Sequence, residues 1–248
     1  MIKIDNISKS FGSKIVLNNL SACFESGKVN LIIGKSGSGK TMSIKCMLGL
    51  HSVDFGSVYF DDRDFTKMNE SSRKKVRKEI GMVFQGGALF DSMTIEENVM
   101  FPLRMSNKMN LKKMKDRVEF CLNRVDLSGV NNLYPAELSG GMQKRVSIAR
   151  AIVLNPKYLF CDEPNSGLDP TTAIVIDKLL QEITHEYNIT TVINTHDMNS
   201  VVEIGDNIIF IKDGEKKWEG NSNNVLKSDN KDLNEFIFSS KLFMNFKK

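Results

Sequence analysis

Long apolar runs are missing from this 248-residue chain: no stretch approaches the ~18 consecutive apolar residues a helix needs to cross a membrane. The opening Met1-Ile2-Lys3-Ile4-Asp5 also lacks the apolar core of a secretory signal, so any membrane role is expected to come through a partner. Cysteine is sparse. Cys23, Cys46, Cys121 and Cys161 stand apart, among apolar neighbours and without metal-ligand spacing, which fits buried, reduced thiols of a cytosolic protein. Net charge is small too: 34 Lys and Arg against 30 Asp and Glu leave a formal +4, which gives no footprint for nucleic acid, whose binders cluster Lys and Arg far more strongly. The basic stretches Arg73 to Lys78 and Arg104 to Arg117 are interleaved with helix formers and read as solvated helical faces, with an anionic-lipid patch as the alternative. With no internal repeats or low-complexity segments, the length suits one large α/β domain carrying a subdomain.

What the chain does contain is Gly34-Lys35-Ser36-Gly37-Ser38-Gly39-Lys40-Thr41, a fit to G-x-x-x-x-G-K-[ST] placed where the apolar run Val29 to Ile33 gives way to a helical pattern. A strand feeding a glycine-rich turn aims several backbone N–H groups at one point, and the following helix begins there with the positive end of its dipole. Phosphate is the expected occupant. The glycines let the backbone wrap the β-phosphate, Lys40 brings a point charge to the β/γ oxygens, and the Thr41 hydroxyl can ligate Mg²⁺. A second apolar strand, Tyr158 to Cys161, ends in Asp162 and Glu163. Asp162 is placed to hold Mg²⁺ opposite Thr41, often through water, and Glu163 to face the γ-phosphate and polarise the attacking water.

Alternation at Ile2 and Ile4 and the β-branched content of Lys14 to Phe24 predict antiparallel strands before the phosphate loop. Short strands follow at Val58 to Phe60 and Ile80 to Phe84, the second stopping at Gln85, with a charged helix from Ser71 to Glu79 between them. Thr94-Ile95-Glu96-Glu97 has capping-box spacing, and Met114, Val118, Cys121, Leu122 and Val125 share one helical face, so residues from about 88 to 150 read as an inserted helical subdomain. The α/β pattern returns with Asp169-Pro170 as a helix start, a strand over Thr190 to Thr195 and a hairpin around Asp213-Gly214. Asn221 to Asp232 reads as a polar linker. The apolar tail from Leu233, with Phe236, Ile237, Phe238, Leu242, Phe243 and Phe246, either packs back on the domain or meets a partner.

Leu138-Ser139-Gly140-Gly141-Met142-Gln143, followed by Lys144-Arg145-Val146-Ser147-Ile148-Ala149-Arg150, resembles the signature motif of the ATP-binding-cassette (ABC) superfamily, and the resemblance runs from residue 1 to about 220. Physically the motif is a second anion site, with the Ser139 hydroxyl and the Gly140 and Gly141 N–H groups at a helix start. The resemblance implies an α/β P-loop NTPase fold, an ABC nucleotide-binding domain with an antiparallel β subdomain and the helical insertion, followed by a C-terminal extension over residues 221–248. It implies ATP and Mg²⁺ as cofactors and a head-to-tail homodimer, each ATP lying between one subunit's phosphate loop and the other's signature. Gln85 matches the Q-loop glutamine, touching Mg²⁺ or the water; Ser166-Gly167-Leu168-Asp169 matches the D-loop; His196 matches the switch histidine at the γ-phosphate. Two positions depart from the usual pattern: Phe11 stands where the adenine-stacking residue is most often Tyr, and Asn165 where many relatives carry Thr.

The implied role is the ATPase subunit of a transporter, at the cytoplasmic face of the inner membrane, joined to integral membrane permease subunits. The contact is expected near Gln85 to Pro102. The segment Val83 to Val99 resembles the ATPases of Mce-type lipid transporters, which implies lipid transport between membranes with an Mce-domain lipid-binding partner. An amino-acid-type solute importer and a division-associated signalling pair are the alternatives.

Overall fold

The computed structural model describes residues 1–106 and 109–239. The chain opens with an antiparallel pair, β1 (Ile2–Phe11) and β2 (Lys14–Phe24), then β3 (Val29–Ile33) and, after the glycine loop, α1 (Lys40–Met47). β4 (Phe55–Phe60) and β5 (Arg63–Asp64) complete a four-stranded antiparallel sheet ordered β2-β1-β4-β5. There follow α2 (Glu70–Arg77), β6 (Ile80–Val83), three helices α3 (Ile95–Ser106), α4 (Leu111–Arg124) and α5 (Gly140–Ile152), and then β7 (Tyr158–Asp162). The rest is α6 (Pro170–Glu186), β8 (Thr190–Thr195), α7 (Met198–Ile204), the hairpin of β9 (Asn207–Lys212) and β10 (Glu215–Gly220), and α8 (Lys231–Ile237). The larger sheet runs β10-β9-β3-β8-β7-β6, parallel throughout except for β10.

β3, β7 and β8 are buried along almost their whole length because the sheet is a wall between two cores, so both faces of each strand are covered. Leu31, Ile33, Leu159, Cys161 and Ile193 join α3, α4, α5 and α6 on one side. Ile32, Tyr158, Phe160 and Val192 point the other way, against α1 and the antiparallel sheet. The helical insertion begins as the capping-box spacing predicts. The Glu97 carboxylate accepts the Thr94 N–H at 3.0 Å, and the Thr94 hydroxyl accepts the Glu97 N–H at 3.3 Å.

Two expectations are corrected. Asn221 to Asp232 is no open linker: the Asn224 side chain accepts the Asn221 N–H at 2.8 Å and the Asn221 side chain accepts the Asn223 N–H at 3.0 Å, making tight turns that let Val225 bury completely. Cys23 is only partly buried, although Cys46, Cys121 and Cys161 are buried and all four are free thiols. The tail packs back as far as it is described, with Leu233, Phe236 and Ile237 buried and the Phe236 ring 5.4 Å from that of Phe210. Leu242, Phe243 and Phe246 lie outside the described residues.

Candidate active site

Strand register brings the chemistry to one level. Ile33 pairs with Thr195, Asp162 with Asn194, and Val83 with Cys161, so Gly34, Glu163 and His196, each next after its strand, and Gln85, two residues beyond Val83, leave the carboxyl ends of four parallel strands together. In open α/β sheets that rim is where ligands bind.

The glycine loop is shaped for close approach. Gly34, Gly37 and Gly39 have φ of +150°, +80° and +109°, and a Cβ on Gly34 would come within 2.2 Å of the Ile211 carbonyl oxygen. Gly39 precedes α1 with no side-chain cap and no acid in the first turn, leaving its amides to another acceptor. The Lys40 ammonium is buried and donates to the Gly34 and Lys35 carbonyls at 2.8 and 3.0 Å. It forms no ion pair among the described residues, and burial lowers its pKa while Glu163 and Asp162 oppose that shift. Within the same loop the buried Ser38 hydroxyl has no hydrogen-bond partner among the described residues. A buried cation without a counterion, an unpaired hydroxyl and free helix amides fit a polyphosphate.

Glu163 holds the centre. Its backbone is left-handed, φ +46°, a conformation that costs about 1–3 kcal/mol outside glycine. Its N–H is fixed by the carbonyl and side-chain oxygens of Asn194, at 3.1 and 2.9 Å. The carboxylate accepts from the Gln85 amide nitrogen at 3.0 Å and lies 3.0 Å from His196 Nδ1. The Thr41 hydroxyl lies 3.5 Å from Asp162 Oδ1, and Asn194 Nδ2 donates to that hydroxyl at 3.3 Å. Buried Asn194 thus spans Thr41 and Glu163. No sequence signal marked it, because a polar residue inside an apolar strand declares no partner.

Oxygen donors dominate the place expected to hold Mg²⁺: the Thr41 hydroxyl, an Asp162 carboxylate and, if its oxygen turns inward, the Gln85 amide. Such a set suits a hard cation that keeps waters and shares phosphate oxygens. The described residues hold no cluster of three or more His, Cys, Asp or Glu able to cage a metal alone.

Some of the expected residues line this centre and others lie apart from it. Lys35, Ser36, Gly37, Lys40 and Glu163 line its cavities, together with Lys14, Ile15 and Val16 of β2, which the sequence did not flag. Phe11 is not among those lining residues; it pairs with Lys14 at the hairpin end, 46% exposed, with His51 edge-on at 5.6 Å and the Lys9 ammonium 5.4 Å from its ring centre. Ser139 caps α5, accepting the Met142 N–H at 3.3 Å, and is exposed with Gly140. A Cβ on Gly141 would meet Thr172 at 2.7 Å, so that glycine permits α5 to close on α6. Asp169 caps α6 through the Thr172 N–H at 3.0 Å.

A family model described as ABC transporter matches residues 17–166. This chain belongs to the ABC transporter family. It is an ATPase domain of that family, binding and hydrolysing ATP, with the mixed α/β architecture, antiparallel sheet and helical subdomain of solved cassettes. The methionine import ATP-binding protein MetN of Clostridium tetani is 42% identical to this ABC ATPase over 216 residues, covering 87% of it and 67% of the relative. A probable ribonucleotide transport ATP-binding protein, mkl, of Mycobacterium tuberculosis is 36% identical over 207 residues, 84% of this chain and 58% of the relative. The ATP-binding cassette MJ0796, solved as a dimer in a post-hydrolysis state with ADP and Pi, superposes with a TM-score of 0.81 at 33% identity over 90% of this chain and 99% of that one.

Proposed function

We propose that the chain is the ATPase subunit of a membrane transporter, acting as a head-to-tail homodimer that drives separate permease subunits. The observation that carries the reading is the Glu163 carboxylate, 3.0 Å from both Gln85 and His196 and beside the Thr41–Asp162 pair. In this reading Lys40 and the loop amides bind the β/γ-phosphates, Glu163 orients and polarises water, and His196 and Gln85 hold Glu163 and sense the γ-phosphate. Thr41, Asp162 and Gln85 would hold Mg²⁺, which would supply charge neutralisation on those phosphates. Ser139 and Gly140 are exposed and outside the cavity of their own glycine loop, which supports service to the ATP of a second copy; the related cassette MJ0796 is dimeric. Asp169, at the start of α6, would lie along that dimer contact.

No helix among the described residues is long and apolar enough to cross a membrane. Attachment to the cytoplasmic face of the membrane therefore falls to the permease. Its seat in this reading is the cleft of about 390 Å³ lined by Phe84, Ala88, Phe90, Phe101, Pro102 and Arg150, between the main sheet and the helical subdomain.

For cargo, the methionine-import names of the relatives support an amino-acid-type solute importer, and that becomes the leading reading over lipid transport. The resemblance of Val83 to Val99 to Mce-type ATPases keeps lipid transport as the second reading. Isolating the native complex from membranes decides between them: a soluble solute-binding protein among its chains supports import, an Mce-domain protein supports lipid transport. Glu163→Gln tests the ATPase assignment. It should retain ATP binding and lose at least about 100-fold in turnover, the lower range for a general base; more than about a tenth of the original rate would refute that role.

A further inference from the structure

We propose that Asp177 is a positioning residue for hydrolysis: with Asn165 and Ser200 it ties the loop carrying Glu163 to the loop carrying His196. The proposal rests on the catalytic reading of Glu163 given above.

Asp177 lies on α6, 3% exposed. Its Oδ2 accepts the Ser200 hydroxyl at 2.6 Å, and its two oxygens lie 3.4 and 3.3 Å from Asn165 Nδ2. Asn165 Nδ2 also donates to Ser200 Oγ at 2.9 Å, closing a triangle of buried side chains. Its corners are well chosen. Asn165 is two residues beyond Glu163, and Ser200 is four beyond His196 on α7, the helix that β8 enters through His196. The 3.0 Å contact between Glu163 and His196 depends on how those two loops stand relative to each other, and this cluster joins them from beneath.

The arrangement is costly for mere packing. Asp177 forms no ion pair among the described residues. The charged groups that face it, Asp197 and Glu203 from the α7 side, are acids that disfavour its ionisation, and the Cys161 thiol on β7 is itself held neutral by burial. Desolvation leads, and the carboxyl is pushed up to about 6, with Ser200 and Asn165 partly opposing the rise. A folded-state value above the ordinary 3.8 means that protonation favours the fold. The stability this group contributes is complete below about pH 4 and lost as pH rises through about 6, so near neutrality its charge works against folding. A neutral side chain here would be at least as stable. What the ionised carboxylate supplies is an acceptor for both loops at once.

The test is steady-state ATP turnover of the full chain, with thermal midpoints, for Asp177→Asn and Ser200→Ala. Asp177→Asn should lower kcat about tenfold or more and leave KM within about twofold, because the loops shift while the phosphate loop does not. Its thermal midpoint at pH 8 should equal or exceed that of the parent. The parent's kcat should also fall with acid through about pH 6 along a limb that Asp177→Asn lacks; limbs shared by both belong to other groups. Ser200→Ala should reproduce the kcat loss. An unchanged kcat, an unchanged pH profile, or a kcat loss matched by a lowered midpoint would overturn the proposal. Glu163→Gln, run alongside, separates the two ideas: turnover surviving there refutes the role of Glu163, whereas a silent Asp177→Asn beside an inactive Glu163→Gln refutes the positioning role alone.

Discussion

The Lys144 ammonium donates to the backbone carbonyl of Gln85, across 59 residues of sequence. Six residues further along α5, Arg150 donates to the Gly87 and Ala88 carbonyls, each at 2.7 Å. The helix that starts at the Ser139-Gly140-Gly141 turn therefore grips the glutamine loop at two points. In the proposed dimer, a displacement of that turn by the second subunit would reach Gln85 through helix rather than through loop.

Lys144→Met keeps most of the buried stem and removes the charge-assisted bond, worth about 1.5–3 kcal/mol. Turnover should fall about tenfold, the rate equivalent of about 1.4 kcal/mol, with ATP affinity unchanged because the glycine loop is untouched. Equal turnover in steady-state assays would show that Gln85 does not depend on this grip.

Lys40→Ala should weaken ATP binding itself. The variant loses the cation at the β/γ-phosphates and also the bonds to the Gly34 and Lys35 carbonyls that hold the loop's shape. Titration calorimetry giving the parent's affinity would contradict the assignment.

Ser139→Arg should act in trans. The side chain would fill the anion site presented to a second copy, so each subunit still binds ATP while the closed dimer fails to form. Light scattering in the Glu163→Gln background reads this directly, and a normal ATP-dependent dimer would remove the assigned role of the signature turn.

Leu89→Asp with Phe90→Asp should abolish co-purification with the permease and spare ATP binding. Phe90 is exposed against Phe101, their ring centres 4.9 Å apart, and buried Asn98 pins its loop by accepting the Phe90 N–H at 2.8 Å. Retention of the permease in a membrane pull-down would place the contact elsewhere.

Much of this was legible in the sequence. The glycine loop, the Asp162–Glu163 strand end and the capping box at Thr94 are local devices, written in consecutive residues. The partners that position them were hidden because they are made by tertiary contact: Asn194 reads as a polar break in an apolar strand, Lys144 as one more helix lysine, and Asp177 as a polar position on α6. Asn221 to Asp232 misled for the opposite reason, since its polar side chains are consumed by their own backbone. Phe11 was identified by position in a motif, and its place at the hairpin tip depends on a β1–β2 ladder whose register shifts three times.

Three of the four elements that converge on the site are interior strands: β3, β7 and β8 each have a hydrogen-bonded neighbour on both sides and a core on both faces. The fourth, β6, is the rim of the sheet, and Gln85 hangs from it. The amides under Gly34, Glu163 and His196 should therefore exchange with deuterium only through near-global opening, while those over residues 84–88 exchange through small excursions. In a working transporter, then, the isotope would record the ATP cycle along that one rim while the strands beneath the phosphates stay silent.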